Sequence, residues 1–246
     1  GVLTLLSISA VICPVLIRLN LVQRSSVMLF FAASPLFFGD YSGSEMGWFE
    51  RVDAGSISEW ASRLLWNGTY PIFPWIFYIL LGTILHDLKA ERGTRERGIF
   101  LGIVATFVTV ILSFVEGVDW ALTSGNAILT FFPASMPFLI VSGTMVALSL
   151  RILEGTEESG GEPFLGDKLS ILEPVGRLSL TIYVMHFFIL GIVAFVLDGE
   201  PRLPLISAFS LTIFHTIVWI PLALFHERTV PHLSLEGLLR KTQSSR

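Results

Sequence analysis

Cysteine is nearly missing from this sequence, and charge is scarce. The single cysteine, Cys13, cannot close an internal disulfide, and no Cys/His pair has the spacing of a zinc site, so a disulfide scaffold and a bound metal have no support. Charged residues are 15% of the 246, well below the quarter usual in a soluble domain, which excludes an ordinary soluble fold. The net charge of -4 is small and gives no basis for nucleic-acid binding. A basic leader followed by a small-residue cleavage site is also lacking, so the start is not a signal peptide. The opening GVLTLLSISAVICPVLIR is apolar from its first residue and has no initiator Met. It reads as a chain cut upstream. No internal repeat is found, and no low-complexity stretch beyond the short acidic loop GTEESGGE.

Apolar runs fill the space that charge leaves. Hydrophobic residues make up 52% and the mean hydropathy is +0.71. Seven runs, at 1–18, 25–38, 71–88, 99–115, 133–150, 171–197 and 205–225, predict an all-α fold, a polytopic transmembrane helix bundle of about seven spans. Several are short for a bilayer, so tilting or local thinning is expected. The chain reads as one transmembrane domain over 1–246, with an outward loop at 40–70 and a cytoplasmic tail at 226–246. In that loop Ser56 and Glu59 have capping-box spacing ahead of Ile57, Trp60, Ala61, Leu64 and Leu65, the apolar face of a short interfacial helix. If the ends alternate across seven spans, thirteen Lys and Arg collect on one side and three on the other. That asymmetry puts the tail and the basic turn KAERGTRERG in the cytoplasm, and the loop around Trp66 outside. The setting is an integral membrane, the cell membrane in a prokaryote.

The run at 171–197 carries a working face. Gly176, Ser179, Tyr183 and His186 are separated by three, four and three residues, one stripe of a helix. Polar groups in hydrocarbon must find partners, so the stripe should face a bundle interior or cavity. His186 and His215 fall at similar depth on consecutive spans, roughly 15 Å below the outer surface at the helical rise per residue. An imidazole there can act as a general base. It can equally be a structural hydrogen-bond partner of Tyr183, Thr212 or a carbonyl. Arg177, with Arg92 and Arg95 on the same side, could hold a phosphate-bearing cofactor through its planar fork, or be an ordinary positive-inside residue. Trp66, Asn67 and Tyr70 stand where an outer acceptor would approach, and WNGTY reads as a turn before a helix. His86, beside Asp87, reads as an interface anchor, and His226 and His232 as solvated.

GRLSLTIYVMHF resembles the late-helix signature G-x-x-S-x-x-x-Y-x-x-H of multi-pass acyltransferases, related to the type 3 acyltransferases, and YPIFPWIFYILLGTIL resembles a span of the heparan-alpha-glucosaminide N-acetyltransferase group. LEGLLRK is similar to the closing segment of related bacterial membrane domains. The resemblance covers most of the chain. It implies transfer of an acetyl or other acyl group from cytoplasmic acyl-CoA to a sugar, glycan or other acceptor on the far side of the membrane. In that group the best-attested catalytic histidine belongs to an early helix, in a segment with an Asp and an Arg-Gly pair that this sequence lacks, so the chain looks like a second half. Gly176, Ser179, Tyr183 and His186 match the late signature and are implied to shape the site, with Ser179 and Tyr183 toward substrate. Pro71, Pro74, Trp75 and Gly82 match the other segment and are implied to be structural. Two further classes stay open: a transporter or flippase for a small solute or lipid-linked sugar, and a non-catalytic membrane subunit. A homo-oligomer is compatible with either.

Overall fold

The structure is a computed structural model in which residues 2–89, 91–154, 170–196 and 205–244 are described. The acidic loop at 155–162 and the turn at 197–204 lie outside the described residues. Two compact units make up the chain, 1–152 and 153–246, where the sequence reads as one domain.

The first unit begins with α1 (Val2–Leu16) and α2 (Leu21–Phe37), separated at Asn20. Asn20 Oδ1 accepts from the Gln23 N–H at 2.9 Å, and Gln23 Oε1 accepts from the Asn20 N–H at 3.1 Å, a capping box that starts α2 four residues before the expected span. Short helices α3 (Trp48–Val52) and α4 (Ile57–Ser62) follow in the loop. Ser56 Oγ caps α4 by accepting from Glu59 N–H at 3.2 Å, but Glu59 reaches back to the Gly55 N–H rather than to that of Ser56. A wide turn at Arg63–Asn67 then leads to α5 (Ile72–Asp87).

Helix α5 is the centre of this unit, packed by α1 and α2. Ile76 and Leu80 on α5 and Leu139 on the later helix α7 (Met136–Leu153) are fully buried, and Trp75 and Phe77 join Leu5, Ala32, Ala134 and Leu139 in one core. Two polar ties accompany it. Tyr78 and Ser142 share a hydrogen bond of 2.7 Å between α5 and α7, and buried Arg24 pairs with Asp87 between α2 and α5. Helix α6 (Arg92–Glu116) starts inside the stretch expected as a basic turn, so Arg92 and Arg95 are helical. It ends where Gly117 takes φ 66°. Two polar residues of α6 tie down the next segment: Thr109 Oγ1 accepts from Trp120 Nε1 at 3.0 Å, and Ser113 Oγ donates to the Val118 carbonyl. That segment holds two short parallel strands, β1 (Asp119–Leu122) and β2 (Ala127–Thr130), within a fold that is otherwise helical, as expected.

The second unit holds α8 (Glu173–Arg177), α9 (Ser179–Val196), α10 (Leu205–Thr229) and α11 (Leu235–Ser244). The expected continuous span at 171–197 is instead bent by 73° at Leu178. The tail at 226–246 is not merely polar connection, since α11 is an amphipathic helix within it.

Seven spans are not reproduced. Among the described residues three helices, Arg92–Glu116, Met136–Leu153 and Phe209–Thr229, are long and apolar enough to cross a membrane, and five if each of two bent pairs is one span. Helices α1 and α2, at 15 and 17 residues, are apolar but shorter. Exposed Phe107, Ile111, Phe114, Phe209 and Phe214 on the long helices would be unstable against water and suit a lipid solvent.

Candidate functional site

In the second unit, the break at Leu178 divides the predicted stripe. Gly176 belongs to α8, while Ser179, Tyr183 and His186 belong to α9. The four do not share one helix. What begins α9 comes from far along the chain. Glu236 Oε1 accepts from the N–H groups of Leu180 and Thr181 at 2.7 and 3.0 Å, and Glu236 Oε2 accepts from the Thr181 hydroxyl at 2.5 Å. A carboxylate at an exposed helix start satisfies orphan N–H groups and meets the positive end of the helix dipole. Burial pushes the Glu236 carboxyl upward, but the Thr181 hydroxyl and the N–H groups of Thr181 and Leu180 outweigh it and hold it below the ordinary value.

One and two turns further along α9 stand Tyr183 and His186, with ring centres 5.5 Å apart. The His186 ring lies 6.2 Å from that of His215 on α10. Both imidazoles are half-buried. His215 Nε2 accepts from Trp219 Nε1 at 3.4 Å, one turn along α10. That bond needs an unprotonated Nε2 and leaves Nδ1 to carry the ring proton. Trp219 was not singled out in the sequence, although its i, i+4 spacing from His215 was the available signal. Ser179 is exposed at the first turn of α9.

Arg177 meets carboxylates rather than open space. Its Nη2 lies 2.9 Å from Glu227 and 3.5 Å from Glu173, beside a pocket of about 190 Å³ shared with Arg240, His226 and Ser234. His226 contacts the Leu233 carbonyl at 2.7 Å. Arg92 and Arg95 belong to the first turn of α6 in the first unit, where Arg92 is exposed and Arg95 buried. His86, exposed, approaches Asp87 at 3.4 Å.

The first unit contains a cavity of about 260 Å³. Trp66 lines it with Phe38, Phe73, Trp75, Phe131 and Phe132, and Ser34, Thr69, Thr130, Ser135 and Arg51 give it polar walls. Trp66 stacks on Phe73, with centres 4.5 Å apart and planes 20° from parallel. Of the three residues expected on the acceptor side, Trp66 alone borders this cavity. Tyr70 packs edge-on against Trp75 at 4.8 Å, and the Asn67 side chain is held by Ser62 and Arg63 at 3.0 and 2.9 Å. Arg51 and the Phe131–Phe132 pair went unnoticed in the sequence. Arg51 read there as one outward basic residue, and only the folded loop shows its burial.

Among the described residues no group of three or more His, Cys, Asp or Glu is placed to hold a metal ion. No curated protein and no solved structure matches this chain. Residues 2–224 do match the family described as an acyltransferase domain, which takes in α6 and α7 whole and α10 as far as residue 224, and the chain belongs to the type 3 acyltransferases.

Proposed function

We propose that this integral membrane acyltransferase moves an acetyl or other acyl group from cytoplasmic acyl-CoA to the hydroxyl or amine of a sugar. The observation that carries the reading is the pair of facing imidazoles, His186 and His215, on two helices of an acyltransferase-family chain. One imidazole takes the acceptor proton as the oxygen or nitrogen attacks the thioester carbonyl. The C–S bond then breaks, and the same imidazolium returns its proton to the departing CoA thiolate. The second ring, held by Trp219, fixes the orientation of the first. Tyr183 flanks His186 on the approach side.

The tail and the donor are placed in the cytoplasm on a seven-span alternation, under which Lys and Arg collect on one side. Arg177 serves the donor phosphates only if Glu227 and Glu173 yield it. The acceptor enters the aromatic cavity beside Trp66. The amino-sugar acceptor suggested by the N-acetyltransferase likeness is one member of this class.

The test is acyl transfer from labelled acetyl-CoA to a panel of sugars in sealed vesicles carrying the full-length protein. His186→Ala and His215→Ala are expected to lower the rate by at least about 100-fold. Unchanged rates in both variants would remove the pair from catalysis.

A second reading draws on a specific feature. Two helix pairs are bent at short breaks, by 48° and 73°, and discontinuous helices are common where transporters bind solute. Solute flux without acyl-CoA would favour it.

A further inference from the structure

The polar walls of the aromatic cavity are unevenly equipped. The Ser34 hydroxyl already donates to the Phe31 carbonyl and the Thr130 hydroxyl to the Pro133 carbonyl, each at 2.7 Å. Both can therefore offer a ligand only an acceptor lone pair. Arg51 is the opposite. It is 4% exposed, and three of its five N–H groups go to backbone carbonyls: Nη1 to Ser42 and Asn67 at 3.1 Å each, and Nη2 to Gly43. No carboxylate stands within ion-pair distance of it among the described residues. Burial and the neighbouring Arg63 charge pull its pKa downward, against a smaller upward pull from Glu50. A buried cation whose hydrogen-bond partners are all neutral carbonyls is an unfinished electrostatic arrangement, and this one borders a cavity.

We infer that the cavity takes an acidic sugar of the hexuronate class, its carboxylate on the free N–H edge of Arg51, its hydroxyls donating to Ser34 and Thr130, and its ring against Trp66 and Phe73. The volume suits one sugar ring with a small anionic substituent. This rests on reading the cavity as the acceptor site.

The test compares methyl glucuronide with its uncharged amide, which differ at the carboxyl group alone, by equilibrium binding to the intact detergent-solubilised protein. Charge-assisted pairing predicts at least about tenfold tighter binding of the acid, with the difference shrinking as salt rises. Trp66→Leu should weaken both ligands. Arg51→Gln should erase the preference; because Arg51 also ties the loop, the ligand pair on unaltered protein is the deciding comparison. Equal binding of acid and amide, both lost in Trp66→Leu, overturns the acidic-sugar inference and leaves the cavity as an acceptor site. Binding that Trp66→Leu does not change, or no binding of either ligand, overturns both.

Discussion

Gly102 lies on α6 where α7 comes closest. A methyl group at that position would overlap Thr144 Oγ1 and stand only 2.8 Å from its Cγ2 and 3.0 Å from its Cβ. Thr144 cannot simply turn aside. Its hydroxyl donates to the Ile140 carbonyl at 2.7 Å, and rotation about χ1 leaves Cβ where it was. Gly102→Ala must therefore push the helices apart, at about 1–3 kcal/mol for overpacking. Alanine's better helix propensity returns about 1 kcal/mol. A net loss of up to about 2 kcal/mol is expected. Thr144→Ala removes Oγ1 and Cγ2, the two nearest atoms, and keeps Cβ, so the double variant should recover most of that loss, and the cycle should show a coupling of about 1 kcal/mol or more. Equilibrium unfolding of the four proteins in one detergent measures each term. If Gly102→Ala is more stable than the parent by about 1 kcal/mol and the cycle shows no coupling, propensity alone governs the site and the close approach of α6 and α7 is refuted.

Three other perturbations have definite signs. Tyr78→Phe deletes the hydrogen bond to Ser142 and should cost about 1 kcal/mol in the same unfolding assay. Asp87→Asn takes the counter-charge from buried Arg24 and should lower the unfolding midpoint, with Arg24→Leu/Asp87→Asn less damaging than Asp87→Asn alone. Glu236 has a carboxyl pKa lower in the folded state than unfolded, so its contribution is fully present above the ordinary glutamate range and is lost as pH falls through the depressed value. Hydrogen exchange at Leu180 and Thr181, referenced to a helix interior to remove the intrinsic pH effect, should show protection that Glu236→Gln weakens at neutral pH and that acid removes in the parent.

The helical class was legible because apolar runs are a local property, and α5, α6, α7 and α10 lie where those runs do. Their ends were less so. Arg92 to Gly98 is rich in charge and has two glycines, which reads as a turn, yet it forms the first turns of α6 and Arg95 is buried there. The break at Leu178 left no local mark, since no proline falls between Arg177 and Val196. The cap that permits it is supplied by Glu236, more than fifty residues later. Strands β1 and β2 are four residues each, too short for alternation to register. At the site, equal depth on consecutive apolar runs was enough to set His186 beside His215, whereas Arg51 needed the folded loop, because its three partners are backbone carbonyls that any residue types could present.

That cap bears on how the imidazole pair is positioned. A helix that starts at Ser179 rather than near Ile171 has N–H groups of its own to satisfy at the bend. Glu236 satisfies two of them, and Leu235 N–H donates in turn to Thr181 Oγ1 at 2.9 Å, so the tail helix and α9 hold each other at two points. From Thr181 to His186 is less than two turns of rigid helix, about 7–8 Å of rise. Any rotation of α9 about its axis would swing His186 away from His215, and the tail is the contact that resists it at the near end. Glu236 lies beyond the family-matched residues 2–224, so this restraint belongs to the part of the chain outside that match. Residues 2–224 alone would keep both histidines and lose the carboxylate that caps the helix carrying one of them.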